Sequence, residues 1–203
     1  MMDEKKLKRL ARRITFHEIG HAVAMYICYG NIDRIETISC DLFVPVTSKV
    51  KSLQLSDREC LRKMFDENEG FQFVFNEVCT LIGGGLCESL FCNKTINKII
   101  ENKRYVFPIK GMEGDMATLK RLLSLYGVEN KKEIDAFVKL AVRRLYFPFM
   151  RYKDKIYILA NKVLNDEIDE EITREEFYEV FDQKLYRKER REFMKRMKAK
   201  YGG

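Results

Sequence analysis

The sequence has little proline and glycine, with three and eleven residues of each in a chain of 203. It has no low-complexity tract and no internal repeat, which excludes collagen-like, linker-type, solenoid and propeller architectures. No uncharged apolar run reaches about 18 residues, so we expect no transmembrane helix. The longest candidate, residues 71–92, contains Glu77, Glu88 and three consecutive glycines.

The cysteines form no CxxC pair, and the mostly charged first thirteen residues do not have the pattern of a secretory signal. We therefore expect free, mostly buried thiols and a cytoplasmic location. The six cysteines are Cys28, Cys40, Cys60, Cys79, Cys87 and Cys92. The phosphate-binding pattern GxxxxGK[ST] is also absent, so we expect no ATPase activity in this chain.

Positive charge is concentrated at the C-terminus. Residues 184–203 contain nine Lys or Arg and two Glu, which accounts for the net charge of +7, so residues 1–183 are neutral overall. We expect one domain over 1–183 and a basic helical tail over 184–203, which is a candidate site for an acidic or anionic partner. No zinc finger, RNA-recognition motif or helix-turn-helix pattern occurs, so we expect no specific nucleic-acid partner.

The composition, 46% apolar and 34% charged, is typical of a globular protein. Apolar residues spaced by three and four predict helices over 3–29, 71–91, 115–126, 131–147 and 152–165. Residues 34–50 are rich in Ile, Val, Thr and Phe and predict a small β hairpin or sheet. Two capping boxes, Ser56 with Glu59 and Thr173 with Glu176, predict further helix starts. The predicted fold class is mainly α, α+β at most, and resembles a helical bundle.

Both histidines of the chain lie in residues 17–21, which read His-Glu-Ile-Gly-His. This is the HExxH pattern, and residues i and i+4 of a helix project from one face, one turn apart. Two imidazole nitrogens so placed can bind one zinc ion, and the intervening Glu18 can act as general base toward a zinc-activated water. His17 and His21 also share the apolar stripe of the first helix, where a pair of buried imidazoles needs partners.

A catalytic zinc needs a third protein ligand, and no histidine remains to supply it. The third ligand must then be an Asp, Glu or Cys. The lack of a third histidine also excludes the longer three-histidine pattern of the metzincins. Asp115 follows a glycine-containing loop at the start of a predicted helix, and Glu88 lies in the helix that carries residues 83–85, Gly-Gly-Gly. Spacing alone leaves both candidates open.

Four landmarks resemble, in order, the peptidase domain of the FtsH-type ATP-dependent zinc metalloproteases, peptidase family M41. Residues 17–21 resemble the family's His-Glu-Ala-Gly-His, and residues 83–90 resemble its Gly-Gly-Arg-x-Ala-Glu-Glu-Leu helix. Residues 111–115, Gly-Met-Glu-Gly-Asp, resemble its Gly-Ala-x-Asn-Asp segment, and residues 158–176 resemble its last two helices. The likeness extends over about residues 7–182.

The resemblance implies a zincin domain over 1–183 that binds zinc through His17, His21 and Asp115. It implies Glu18 as the general base, and it places Glu88 beside the ligands, orienting a histidine. The implied activity is a zinc-dependent endopeptidase that cleaves flexible or unfolded polypeptide, with substrate added as a strand near residues 36–50.

The chain also departs from the family pattern. We expect neither the transmembrane segments nor the ATPase that family members carry, so an ATPase acting on substrate would be a separate partner. Gly85 replaces the family's arginine, and residues 93–110 have the character of an insertion. An oligomer is compatible with the resemblance. The alternative function is a protease-like interaction module that keeps the fold and acts through its surfaces and its basic tail.

Overall fold

The computed structural model describes residues 4–41, 47–52, 66, 69–92, 113–165 and 171–181. Within these residues the protein is mainly helical with a small antiparallel sheet, which confirms the predicted fold class. The elements are α1 (Glu4–Tyr29), β1 (Ile35–Asp41), β2 (Thr47–Ser52), α2 (Gly70–Phe91), α3 (Glu113–Leu125), α4 (Lys131–Arg151), α5 (Lys153–Asn165), β3 (Ile172–Thr173) and α6 (Arg174–Phe181).

The two long helices α1 and α2 pack against each other antiparallel and form the centre of the core. Phe16 and Ile19 of α1 and Ile82 and Leu86 of α2 are fully buried between the elements. Burial of each such side chain stabilises the fold by about 1.5–3 kcal/mol relative to its exposed state. The apolar side of each helix that the spacing of three and four predicts is therefore the side on which the two helices meet.

The sheet has the strand order β2–β1–β3, and both pairings are antiparallel. β1 and β2 are the hairpin predicted near residues 34–50, with Ile38 opposite Val50. β3 was not predicted, because two residues carry no periodicity that a sequence pattern can reveal. β1 and β2 both contact α1, so the sheet lies beside the helix that carries the two histidines.

α4 continues past the point where the sequence predicted its end. The sequence pattern predicts its end at about residue 147, just before Pro148, which has no N–H for an interior helical hydrogen bond. In the structure Pro148 lies in the last turn, and its carbonyl accepts a hydrogen bond from the Tyr152 amide at 2.9 Å. Only Tyr152 separates α4 from α5. Pro148 therefore lies one turn before a short break between two helices.

The capping box at the start of α6 forms as predicted. The Glu176 carboxylate accepts hydrogen bonds from the Thr173 amide, at 2.9 Å, and from its hydroxyl. The Thr173 hydroxyl in turn accepts from the Glu176 amide at 3.3 Å, so donors at the helix start are satisfied reciprocally.

Several sequence predictions fall outside the described residues. These are the helix opened by Ser56 and Glu59, the inserted character of 93–110 and the basic helical tail over 184–203. Of the cysteines with described side chains, Cys79 and Cys87 are buried, Cys28 and Cys92 are partly buried, and all four are free. This agrees with the expectation of unpaired thiols for these four.

α2 is the one helix among the described residues that is long and apolar enough to cross a membrane. Of its most apolar window, 78% is buried inside the molecule. The central helix of a globular core has the same length and composition, and α2 contacts α1, α3 and α4. The absence of a transmembrane helix stays a prediction.

Candidate metal centre

His17 and His21 lie one turn apart on the face of α1 that packs against α2. His17 is buried, and His21 is partly buried. The hydrophobic stripe of α1 thus turns both imidazoles inward, where an unpaired ring nitrogen would cost stability. This local placement follows directly from the apolar spacing that surrounds the HExxH pattern.

Asp115 meets the two histidines from a different part of the chain. Its Oδ2 lies 3.1 Å from Nε2 of His17 and 3.5 Å from Nε2 of His21. The two Nε2 atoms are themselves 3.1 Å apart. Asp115 lies in the first turn of α3, so this helix start brings a carboxylate to the side of α1 that carries the imidazoles.

The three atoms form a triangle that can be compared with a zinc site. Ligand atoms at 2.0–2.1 Å from a tetrahedral zinc ion lie about 3.3–3.4 Å from one another. The observed separations of 3.1, 3.1 and 3.5 Å bracket that value. Within the part of the chain that the structure describes, His17, His21 and Asp115 are the one group that could hold a metal ion.

The remaining ring nitrogen of His21 fixes the orientation of that imidazole. Nδ1 lies 2.8 Å from the backbone carbonyl oxygen of Thr80 in α2, so it carries the proton and donates it. Nε2 is then the nitrogen that faces His17 and Asp115, where it can bind a metal ion or carry a second proton. A carbonyl acceptor behind a histidine is a common way to hold a metal-binding tautomer.

Glu88 stands behind His17 on the side opposite Asp115. Its Oε2 is 3.8 Å from Nδ1 of His17, and its Oε1 accepts a hydrogen bond of 2.5 Å from Arg13. The structure therefore separates the two carboxylates left open by spacing, with Asp115 at the Nε2 atoms and Glu88 at the opposite nitrogen. Arg13 had no assigned role in the sequence analysis.

Gly84 allows the backbone of α2 to lie directly against both imidazoles. A Cβ at this position would lie 2.6 Å from Nε2 of His21 and 2.8 Å from Nε2 of His17. No side chain fits there without displacing the ligand atoms. Glycine inside a helix costs about 1 kcal/mol, so the three glycines of residues 83–85 were a sequence signal of close packing at this point.

A second glycine contact sets the separation of the helices. A Cβ on Gly20 would lie 2.5 Å from the Gly83 carbonyl oxygen and 2.5 Å from Cβ of Cys87. A Cβ on Gly83 would likewise collide with Ala24 and with the Gly20 carbonyl oxygen. Gly20 lies inside the HExxH sequence, directly before His21, and it also determines how closely α1 approaches α2.

The charges of the site favour an ionised carboxylate beside protonatable rings. Burial alone raises the pKa of Asp115, but hydrogen bonds and charge from His17 and His21 outweigh it and hold that pKa well below its usual range. Burial alone lowers the pKa of His21, but Asp115, Glu18 and the Thr80 carbonyl raise it to about 9. The centre is therefore built to hold positive charge.

Glu18 follows His17 on α1 and is partly exposed. Its carboxylate acts on His21 through its charge, which places it within electrostatic reach of the ligand atoms. Among the described residues, Glu18 is not a member of the three-residue group. Its carboxylate therefore lies beside the candidate ligand set rather than in it.

Neither the protein-family models nor the curated proteins contain a match to this chain. The resemblance to the FtsH-type proteases stays a prediction, based on the order of its four landmarks. The site geometry is an independent observation, because the distances among the three ligand atoms do not depend on any family assignment.

Proposed function

We propose that the protein is a zinc-dependent endopeptidase that cleaves flexible or unfolded polypeptide. The observation that carries the proposal is the convergence of His17 Nε2, His21 Nε2 and Asp115 Oδ2 at separations of 3.1–3.5 Å, with Glu18 beside the first ligand. An HExxH helix with one further carboxylate is the ligand pattern of catalytic rather than structural zinc.

The donor set favours zinc over the harder cations. Two imidazole nitrogens and one carboxylate oxygen suit zinc, whereas calcium and magnesium prefer oxygen ligands throughout. Three protein ligands also leave a fourth position open. When bound there, zinc would polarise a peptide carbonyl and lower the pKa of a water molecule.

Glu18 is the residue that we assign to proton transfer. Its carboxylate would accept a proton from the attacking water and return it to the nitrogen of the leaving amine. His17 and His21 would hold the metal through their Nε2 atoms, which would then carry no proton to exchange. The Thr80 carbonyl holds the His21 ring through a hydrogen bond of 2.8 Å to Nδ1, and the Glu88 carboxylate faces Nδ1 of His17 at 3.8 Å.

The sheet supports an extended substrate. Within the described residues β2 pairs only with β1, so its other edge carries unpaired backbone groups. Strands of this kind bind peptides by adding one more strand. β2 contacts α1, which brings that edge beside the helix of the HExxH sequence. Flexible polypeptide can adopt the extended conformation without being unfolded first.

The first experiment measures zinc and cleavage together. We expect about one zinc per purified chain by elemental analysis, and cleavage of a permanently unfolded protein substrate. Glu18→Gln should retain the zinc and lose at least about 100-fold in cleavage rate, since it removes the general base but no ligand. Glu179→Gln makes the same chemical change at an exposed position of α6 and should cleave like the wild type.

Three results would overturn the proposal. Cleavage by Glu18→Gln at the wild-type rate would exclude the assigned base. A zinc-loaded wild type that cleaves no unfolded protein or peptide would favour the interaction module instead. If the chain binds no zinc after reconstitution, neither the three zinc ligands nor Glu18 as general base can be retained.

A further inference from the structure

The outward side of α4 carries large apolar side chains that no other described element covers. The inward side packs into the core through Val138, Ala141, Val142, Leu145 and Phe149. At 100° per residue, a second set of residues falls on the opposite side of the helix. We call this set the outer face of α4. Between residues 136 and 151 it consists of Ala136, Leu140, Arg143, Phe147, Met150 and Arg151, and Lys132 and Glu133 lie on the same side one turn earlier.

Exposure on this face is unusual for residues of this size. Phe147 is 76% exposed, Leu140 is 48% exposed and Met150 is 42% exposed. Phe71 of α2, which is 54% exposed, lies 5.9 Å from the ring of Phe137 at the edge of the same face. These four are among only six large apolar side chains that are exposed within the described residues. Contiguous exposed apolar residues of this kind mark interaction surfaces.

The charge around the apolar residues is mostly positive, with Glu133 as the exposed carboxylate one turn before Ala136. From residue 136 to residue 151 the sequence contains one Lys and three Arg but no Asp or Glu. Arg143 and Arg151 lie on the outer face and are exposed. Arg144 lies beside it, with its guanidinium 5.6 Å from the centre of the Phe75 ring. Arg143 and Arg151 lie among the apolar residues, and Lys139 and Arg144 lie on the two sides, so the face is both apolar and basic.

We propose that the outer face of α4 docks on an anionic lipid surface. Phe147, Leu140 and Met150 would enter the boundary between headgroups and acyl chains, while the arginines bind lipid phosphates or carboxylates. Helices lie in membrane interfaces when they combine an apolar stripe with flanking Lys or Arg. Long basic side chains at the rim reach the headgroups while their stems cover apolar surface.

Charge argues against two other occupants. In a symmetric dimer through this face, four basic side chains of residues 136–151 in one copy would lie against the same four in the other, and Glu133 is the one exposed carboxylate on that side of α4 that could pair with them. The chain's own residues 184–203 are also strongly basic, so they are repelled by this face rather than attracted.

The chain contains no tryptophan, which makes a site-specific fluorescence test available. Phe147→Trp places a single indole on the outer face, and Leu125→Trp places one at a 47% exposed position of α3 as the matched control. The probe is vesicles of phosphatidylcholine with phosphatidylserine, compared with phosphatidylcholine alone. We expect the Phe147→Trp emission to shift to the blue and to be quenched by brominated lipid, only with phosphatidylserine present. The Leu125→Trp emission should not change.

Charge reversal provides a second arm. Arg143→Glu combined with Arg151→Glu should weaken binding to the phosphatidylserine vesicles at least about tenfold, because each basic residue near the surface contributes to attraction. Lys6→Glu combined with Lys120→Glu changes the net charge by the same amount at exposed positions elsewhere. It should reduce binding much less. Circular dichroism of each variant checks that the helices are intact.

Three results would overturn the proposal. If the protein sediments with vesicles while the Phe147→Trp emission stays unchanged, binding is assigned to the basic tail. A blue shift that needs no lipid and grows with protein concentration would assign the face to a second copy of the chain. If the protein binds no vesicles and an acidic protein shields the Phe147→Trp indole from solvent, the outer face of α4 is assigned to a protein partner.

Discussion

The pair of helices α1 and α2 is held together differently at its middle and at its end. In the middle, Gly20 meets Gly83 and the backbones touch, with Gly84 directly against the two imidazoles. At the end, near Tyr29, polar side chains span the gap. Glu77 accepts hydrogen bonds from the hydroxyl of Tyr29 and from Arg34, at 2.5 Å for the latter.

The difference shows where the fold can adjust. Hydrogen-bonded side chains change length and angle by rotating, so the end of the pair can tolerate small shifts. Backbone contacts between glycines have no side chain that could rotate, so the middle fixes the distance between helices within tenths of an ångström. The Nε2 atoms of His17 and His21 lie in the middle, where the close backbones fix the positions from which both imidazoles project.

The largest effect should follow from Gly84→Ala. The added methyl group would lie 2.6–2.8 Å from both Nε2 atoms, so the imidazoles must turn away or the helix must shift. We expect zinc bound per chain to fall from about one to near zero, measured by elemental analysis after dialysis.

Gly114→Ala is the matched control for this substitution. Gly114 lies next to Asp115, but among the described residues no atom lies within 4 Å of the position that its methyl group would take. Zinc binding by Gly114→Ala should equal that of the wild type. Retention of full zinc binding by Gly84→Ala would show that the middle of the helix pair is softer than the contacts imply.

Removing a ligand should differ from removing the residue behind one. Asp115→Ala should abolish zinc binding, because two histidines alone remain. Glu88→Gln keeps the size of the side chain but weakens its hold on Arg13 and His17, and should lower zinc affinity by about 10–100-fold. Competition with a fluorescent chelator measures both. The reverse order of effects would make Glu88 the third ligand.

Gly20→Ala tests the rigid middle through stability. The methyl group would press on the Gly83 carbonyl oxygen and on Cys87 at 2.5 Å. Overpacking of this kind costs about 1–3 kcal/mol, whereas alanine in an open helical position gains up to about 1 kcal/mol over glycine. Urea unfolding should give a lower free energy of unfolding for Gly20→Ala and an equal or higher one for Gly114→Ala. Equal values for the two variants would contradict the close contact.

The smallest effect should come from Glu77→Ala at the adjustable end. This change leaves Arg34 and Tyr29 without their shared acceptor and should cost about 1–2 kcal/mol of unfolding free energy. Zinc binding should not change, because the end can rearrange without moving the imidazoles. A loss of zinc binding here would mean that the two regions are mechanically coupled.

The sequence predicted the long helices and the ligand candidates because both depend on local spacing. The stripe through Ile14, His17 and His21 is a property of one helix, and so is the pairing of two histidines one turn apart. Thr173 and Glu176 are likewise three residues apart, and their capping box forms as predicted.

Contacts between distant segments were beyond the reach of spacing. Spacing left Asp115 and Glu88 open, and the family resemblance implied Asp115 as the ligand. The fold sets Asp115 against Nε2 of His17 and Glu88 near its other nitrogen. The pairing of Arg13 with Glu88 joins residues 75 positions apart. The role of Gly84 depends on the crossing of two helices, which no single segment encodes.

The span between His17 and Asp115 has a consequence for the whole chain. These ligands are 98 residues apart, so an ion bound between them would close a loop of that length, as a cross-link does. α3 rests mainly on α2, so the ion would add a second anchor that ties it to α1. At a free ion concentration about 100 times the dissociation constant, such binding adds about 2.7 kcal/mol to the free energy of unfolding. Removal of the ion by a chelator would then destabilise the packing of α3 first. The same ion would serve both as a reactive centre and as a reversible cross-link between α3 and α1.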